Sequence, residues 1–379
     1  MSTAAVTPAL EPTRRIGIDG DALRKPLSGV GQYVYNLCRE LDQLLPDAQF
    51  FVYTRLAPEN VALPSERWVV RQEPVKLARK LPSFIWLKTR GAALARRDDL
   101  DVFWAGRTIH PGTHVARRTV ATVHDLNHRL VPKTMEWATR LSHLLWFDSD
   151  VRSADTIFSN SRGTSDRLLN WVGRAADVVV HPGVRADFHP LDSTAREQAL
   201  LSLTPLGIVP PYILAVSTLE PRKNIGMLVE AFVKLKEAGI LAEHRLVLVG
   251  AKGWQNKVLA QKIEDNARHG IVLPGYVPDE LMPAVFALAD VLVMPSLYEG
   301  FGMPVLEARA VGTPVIVSDI PELKEAADGQ GHVVVPSIGG IETALQQLPQ
   351  VPVEQRQRAY GEIFTWANSA KRMSEYLTT

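Results

Sequence analysis

Asp290-Val-Leu-Val-Met-Pro-Ser-Leu-Tyr-Glu-Gly-Phe-Gly-Met-Pro-Val-Leu-Glu307 is the stretch that decides how this chain folds. Val291 to Met294 is a short apolar run rich in valine, the pattern of a strand buried on both faces of a parallel sheet. Pro295 and Ser296 stop it, Glu299-Gly300-Phe301-Gly302 makes a glycine turn, and Pro304 suits the first position of a new helix. Glycines let backbone N–H groups approach a ligand, and a helix start adds unpaired donors and the positive end of the dipole. An anion is therefore favoured here. Glu299 in the turn and Glu307 in the helix's first turn can face one crevice, and both are acceptor-only when ionised. Phosphate donors flanked by hydroxyl acceptors suit a sugar nucleotide. The bland alternative is a strand-turn-helix unit with incidental acids on a solvated face.

Working outward, strands are expected at 212–218, 245–249, 271–273, 291–294, 315–318 and 333–335, separated by helical patterns such as 225–238 and 257–266. That alternation is a doubly wound parallel sheet. The first half repeats it, with strands at 15–19, 49–54, 68–72, 101–104, 119–124, 156–160 and 178–181. At 379 residues the chain exceeds the ~250–300 at which single cores stop growing, so two domains are the default. Their expected extents are 1–190, completed by a C-terminal helix at about 362–379, and 208–361. Pro205 and Pro210-Pro211 punctuate the connection, placed at about 184–210.

Composition excludes several classes. With 46% hydrophobic and 22% charged residues the chain is neither disordered nor fibrous, and a net charge of +1 leaves no global nucleic-acid footprint. The single cysteine, Cys38, forms no intramolecular disulfide and suits a reducing compartment; beside Val34, Leu37, Leu41 and Leu45 it reads as core. No run approaches the ~20 apolar residues of a membrane helix, and residues 1–13 lack the features of a signal peptide, so the expected location is cytoplasmic.

Gly29-Val-Gly31-Gln-Tyr-Val34 has the outline of a dinucleotide fingerprint, which keeps an NAD-dependent dehydrogenase as the rival enzyme class. Against it, the glycines come nine or more residues after the strand, and no acid follows the next strand to grip a ribose. His124-Asp125 directly follows an apolar strand, where open α/β sheets place ligands; Asp125 either caps the next turn or works beside His124. Arg222 and Lys223 lie between the 212–218 strand and the 225–238 helix, a position suited to a diphosphate or, equally, to two exposed loop cations.

The string EGFGMPVLEA, Glu299 to Ala308, resembles the signature of retaining glycosyltransferases of family 4, built on the two-domain GT-B fold. The likeness runs from the glycine loop to the final helix. It implies two Rossmann-like doubly wound domains facing across a cleft. It also implies transfer of a hexose from a nucleoside diphosphate sugar to a hydroxyl of a glycan or glycolipid, with no cofactor and no metal. In such enzymes Lys223 would grip the leaving diphosphate, with Arg222 supplying the second charge where many relatives carry an arginine at the position of Thr218. The donor would also be met by Gly29 and Gly31, by Gly300, Phe301, Gly302, Met303, Pro304 and Val305, and by Tyr276 and Val277 around the base. The 250–254 loop would help enclose it. Glu307 would accept from ribose hydroxyls and Glu299 from sugar hydroxyls. His124 would reach the transferred sugar, while Asp125 and His110 would face the acceptor, His110 being equally readable as a surface residue. The wording of TLEPRKN and VHDLN is similar to bacterial mannosyl- and rhamnosyltransferases of surface polysaccharides, which favours a GDP-sugar. An inactive sugar-nucleotide-binding subunit is the third class.

Two charge patterns remain. Asp148-Ser-Asp150 matches the D-x-D metal motif of the other large glycosyltransferase fold, but in a helix i and i+2 side chains diverge, so it reads as surface charge. Between Arg71 and Arg97 stand eight basic residues and one acid, Glu73, with Phe84, Trp86 and Leu87 interleaved. That segment is either a solvated helix face or a peripheral contact with an anionic membrane, each nearby cation adding about 1 kcal/mol.

Overall fold

A computed structural model describes residues 14–135, 137–250, 257–348, 356 and 364–378. The strands form two sheets. The first contains β1 (Arg15–Asp19), β2 (Gln49–Thr54), β3 (Val69–Gln72), β4 (Leu100–Ala105), β5 (Ala116–Val123), β6 (Thr156–Ser159) and β7 (Val178–Val179), in the order β3-β2-β1-β4-β5-β6-β7. The second contains β8 (Tyr212–Val216), β9 (Arg245–Val249), β10 (Ile271–Val272), β11 (Val291–Met294), β12 (Val315–Ser318) and β13 (His332–Val334), in the order β10-β9-β8-β11-β12-β13. Neighbours pair in parallel, as β1 does with β2 and β4, and β8 with β9 and β11. Every expected strand is present, with ends displaced by a few residues. Two compact units result. One takes the chain up to Thr122, with 145–158 and the residues from Ala370 on; the other takes 123–144 and 159–369.

Period-two alternation with both faces covered explains why the central strands of the second sheet are predominantly apolar. Leu214, Val247, Leu292, Met294, Val315 and Val317 enter the core on one face. Ile213, Leu246, Val291, Val293 and Ile316, their immediate neighbours, enter the core on the other. Each fully buried side chain of this kind contributes about 1.5–3 kcal/mol. The stretch 184–210 holds a helix, Ser193–Leu203, and buries Phe188, Leu203 and Ile208 in the second core. In the closing helix, Trp366–Thr378, Trp366 is buried, and Tyr376 packs edge-on against Phe158.

The first unit corrects two charge readings. Asp148-Ser-Asp150 does lie in a helix, Trp137–Ser153, but Asp150 is 3% exposed and is not surface charge. Its carboxylate accepts from Lys88 Nζ at 2.7 Å and from the His110 backbone N–H at 3.1 Å. His110 is likewise no surface histidine. It is buried, with Nδ1 accepting from the Gly112 N–H at 3.0 Å and Nε2 3.1 Å from Ser153 Oγ, and burial pushes its pKa down. In the 71–97 segment, Arg71 forms a fork with Asp98 at 2.7–3.1 Å, and Arg90 pairs with the fully buried Glu73 at 2.9 Å. Glu73 also accepts from Trp86 Nε1 at 2.8 Å and from the Val75 N–H at 3.0 Å. Arg79 donates to the Glu73 carbonyl at 2.7 Å. Half of the eight cations therefore do structural work inside the unit.

Candidate functional site: the switch point of the second sheet

Strand order reverses between β8 and β11, and open α/β sheets bind ligands outside the carboxyl ends of strands at such a point. The two loops that leave those ends are the two that the sequence marks. After β8 the chain turns through Pro221–Lys223 and enters the helix Ile225–Glu237 at Asn224, which takes φ 57°. Asparagine tolerates that left-handed backbone, and here its Nδ2 donates to the Pro295 carbonyl at 3.1 Å. The Leu297 N–H donates to the Arg222 carbonyl at 2.8 Å, so the loops are stitched together through backbone as well.

The side chains then converge. Glu299, 5% exposed, accepts from Lys223 Nζ at 2.6 Å and Ser296 Oγ at 2.7 Å through Oε1, and from Arg222 Nη1 at 3.0 Å through Oε2. Arg222 also donates through Nε to Glu220 at 3.0 Å. Burial works to raise the Glu299 pKa, but the Lys223 and Arg222 charges outweigh it and hold the group below its ordinary value. The cluster is two cations against two carboxylates at one loop junction.

The glycine turn has a different reason for its residues than donor access alone. A Cβ on Gly300 would lie 2.2 Å from the His124 carbonyl oxygen, and the Gly300 carbonyl accepts from Ser161 Oγ at 2.8 Å and Thr164 Oγ1 at 3.2 Å. Gly302 has φ 109° and no room beside Leu323, so glycine is required there too. The helix that follows is Met303–Ala310, one residue earlier than Pro304 suggested. Glu307 is its fifth residue and so lies beyond the first turn. It is half-buried, and burial raises its pKa to about 7, with Arg185 opposing the rise and Asp187 and Asp279 adding to it. Phe301 and Val305 are buried in the second core, whereas Met303 and Pro304 are half-exposed. Beside the 271–272 strand, Tyr276 is 82% exposed and Val277 is buried. Of the expected 250–254 loop, 251–254 lies outside the described residues.

His124 is buried at the end of β5 and shares the second unit with Gly300. Asp125 accepts from the Asn127 N–H at 2.9 Å and Asn127 Nδ2 at 2.7 Å, the turn-capping role that was one of its readings. Gly29 and Gly31 belong to the other unit, where the helix Gly29–Leu44 already begins at Gly29. The Gly31 N–H donates to Ser28 Oγ at 3.1 Å, and the Ala22 carbonyl would crowd a Cβ there, so that amide is spent on the helix cap. Three participants carry no loud sequence signal. Ser296, three residues before Glu299, and Glu220, two before Arg222, are legible only as short-range polar spacings. Tyr298 accepts from the Leu126 N–H at 2.6 Å, a partner 172 positions away.

Two parallel-sheet α/β units of this kind define the GT-B class. The fold is similar to that of sucrose-phosphate synthase from Thermosynechococcus elongatus, with a TM-score of 0.76 at 20% identity over 96% of this chain and 98% of that one. It is also similar to Anabaena HepE, with a TM-score of 0.74 at 15% identity over 97% and 99%. Two family models match, "Glycosyltransferase Family 4" over 27–188 and "Glycosyl transferases group 1" over 207–359. Over 336 residues the chain is 30% identical to the O-antigen chain mannosyltransferase B of Escherichia coli, an alignment covering 84% of this chain and 85% of that protein. The chain belongs to family 4 of the glycosyltransferases. The dehydrogenase alternative falls with that membership, and with a helix cap that occupies the glycine amide a dinucleotide would need.

Proposed function

We propose that this chain is a retaining hexosyltransferase that moves mannose, or a related deoxyhexose such as rhamnose, from a nucleoside diphosphate sugar to a hydroxyl of a glycan or glycolipid in surface polysaccharide synthesis. The observation that carries the reading is the convergence of Lys223 and Arg222 on Glu299 beside the start of the 303–310 helix. Departure of a diphosphate builds negative charge, and preorganised cations aimed at it are often the largest catalytic term. Lys223 and Arg222 supply that charge from the protein itself. Pro304 has no N–H and the Val305 N–H donates to the Gly302 carbonyl at 2.9 Å, so at this helix start the Gly302 and Met303 amides meet the phosphate.

Glu299 accepts three hydrogen bonds, and a carboxylate has about four acceptor sites. It orients the basic pair and keeps one site for a sugar hydroxyl. Glu307 accepts from the ribose, and His124 orients the sugar. The mannosyl preference is supported by the name of the Escherichia coli relative, and the GDP preference by the TLEPRKN and VHDLN wording. HepE is solved with UDP and glucose, so the base is a point for experiment. No helix among the described residues is long and apolar enough to cross a membrane. For an enzyme acting on the cytoplasmic face, the exposed cations left for the expected membrane contact are Lys76, Lys80, Arg96 and Arg97, the first two beside Val75 and the 76% exposed Leu77.

The test is a thermal-shift screen with GDP, UDP, ADP and dTDP, followed by transfer assays with GDP-mannose, GDP-rhamnose and UDP-glucose. Stabilisation by GDP together with mannosyl or rhamnosyl transfer, the α-linkage of the donor being kept, supports the reading. Stabilisation without transfer or donor hydrolysis would return the chain to a binding subunit, and no stabilisation by any diphosphate would end the site assignment.

A further inference from the structure

Arg185 stands among three carboxylates outside the basic cluster. Its Nε and Nη2 donate to the two oxygens of Asp187 at 3.0 and 2.8 Å, and Nη2 also donates to the Asp279 carbonyl at 2.8 Å. The guanidinium lies over the Phe188 ring, 5.1 Å from its centroid, and Phe188 is itself buried edge-on against Phe286. Asp279 belongs to the 275–281 loop, which carries Tyr276 and Val277 and leads into the helix Met282–Ala287. The charges of Arg185 and Glu307 also act on each other.

We propose that Arg185 is a positioning residue for the nucleoside half of the donor: it clamps the 275–281 loop, which carries Tyr276 and Val277, to residues 185–188. This rests on the reading of Glu307 as the ribose acceptor. Arginine suits the task because its rigid fork engages a carboxylate bidentately while a further N–H reaches a carbonyl, which a lysine's single ammonium does not reproduce. The groups acting on Glu307 are then Arg185, Asp187 and Asp279. The 282–287 helix brings no charge. The Pro321–Ala327 helix, packed on the 303–310 helix, brings Glu322, Lys324 and Glu325, which are paired with Arg167, Asp319 and His181. Arg309, on the same helix as Glu307, pairs with Asp328.

The sign of the pH effect follows. Ribose hydroxyls bind the ionised carboxylate, so donor affinity rises with pH and levels off once Glu307 is ionised in the free protein, near its pKa of about 7. Without Arg185 the levelling-off moves to higher pH. The test is calorimetric titration of the full chain with GDP and UDP from about pH 6 to 9. Ionisation of the terminal phosphate, near about pH 6, is common to every variant and cancels. Arg185→Ala should weaken nucleotide binding about tenfold at neutral pH and move the levelling-off upward, with kcat at saturating donor within about twofold. Arg185→Lys should keep the wild-type levelling-off and recover part of the affinity; Glu307→Gln should flatten the profile. A wild-type rise retained by Glu307→Gln sinks the ribose reading itself. A flat Glu307→Gln profile beside unchanged affinity and levelling-off in Arg185→Ala sinks the Arg185 proposal alone. Melting without ligand checks folding, and if Arg185→Ala does not fold, Arg185→Gln takes its place with the same expected outcomes.

Discussion

Two regions of this molecule are rich in cations, and they use them in opposite ways. In 71–97, Arg71, Arg79, Lys88 and Arg90 are distributed among separate partners, namely Asp98, the Glu73 carbonyl, Asp150 and the Glu73 carboxylate. Each contact fastens one element to another. At the switch point, Arg222 and Lys223 meet on one buried carboxylate, which is also bonded by Ser296. The number of charges along a stretch does not distinguish these cases. What does is whether the partners are spread over the unit or gathered at the carboxyl ends of two adjacent strands.

The contrast can be broken most forcefully at Glu299. Glu299→Ala leaves Lys223 and Arg222 without their shared counter-ion, and should cost about 3–5 kcal/mol in urea denaturation. Donor turnover should fall about hundredfold or more, since both the charge geometry and the sugar contact are lost. Native-like stability in that variant would show that the cluster is no more cooperative than a surface pair. Lys223→Ala and Glu307→Ala should each lower turnover at least about tenfold while the unit stays folded, because Glu299 keeps Arg222 and Ser296. Wild-type rates in both would contradict the site.

Glu73→Gln should do the reverse, costing about 1–3 kcal/mol through the ion pair and the buried Trp86 N–H, with donor kinetics unchanged. Although burial opposes it, bonding to Arg90, Val75 and Trp86 holds the Glu73 carboxyl down at about 2, below the ordinary 4.5 of a glutamate. Its contribution is therefore complete above pH 4.5 and lost as pH falls through about 2, so the variant's acid-unfolding curve should be flatter in that window. A parallel loss of activity would blur the division between the two regions. The smallest effect belongs to Lys76→Ala with Lys80→Ala, within about 0.5 kcal/mol of wild type in stability. If these residues meet an anionic bilayer, the double variant should sediment less with anionic liposomes at low salt; equal sedimentation would remove them from that role.

Fold was the most legible property. Runs such as 291–294 and 315–317 are apolar at every position because both faces of the sheet are covered, and turn residues bound them sharply. The site was legible where chemistry is local: Arg222, Lys223, Glu299 and Glu307 sit in recognisable loop-to-helix junctions. It was opaque where side chains serve partners far along the chain. Gly300 looked like an opening for a ligand, yet its missing Cβ makes room for the His124 carbonyl, 176 positions earlier in the chain. Asp150 looked like solvated charge, because nothing near it in sequence announces Lys88 or His110.

Apolar periodicity and turn chemistry are short-range, so the chain's own order of residues was enough to determine two wound sheets and the EGFGMPVLEA junction. Strand order is not short-range. Only tertiary structure could set β8 against β11, bring Lys223 within 2.6 Å of a glutamate 76 residues away, and join Arg185 to the Asp279 carbonyl 94 residues on. The reason is that pairing between distant strands depends on the packing of the whole sheet, and the charges at their ends acquire partners only once that packing is complete.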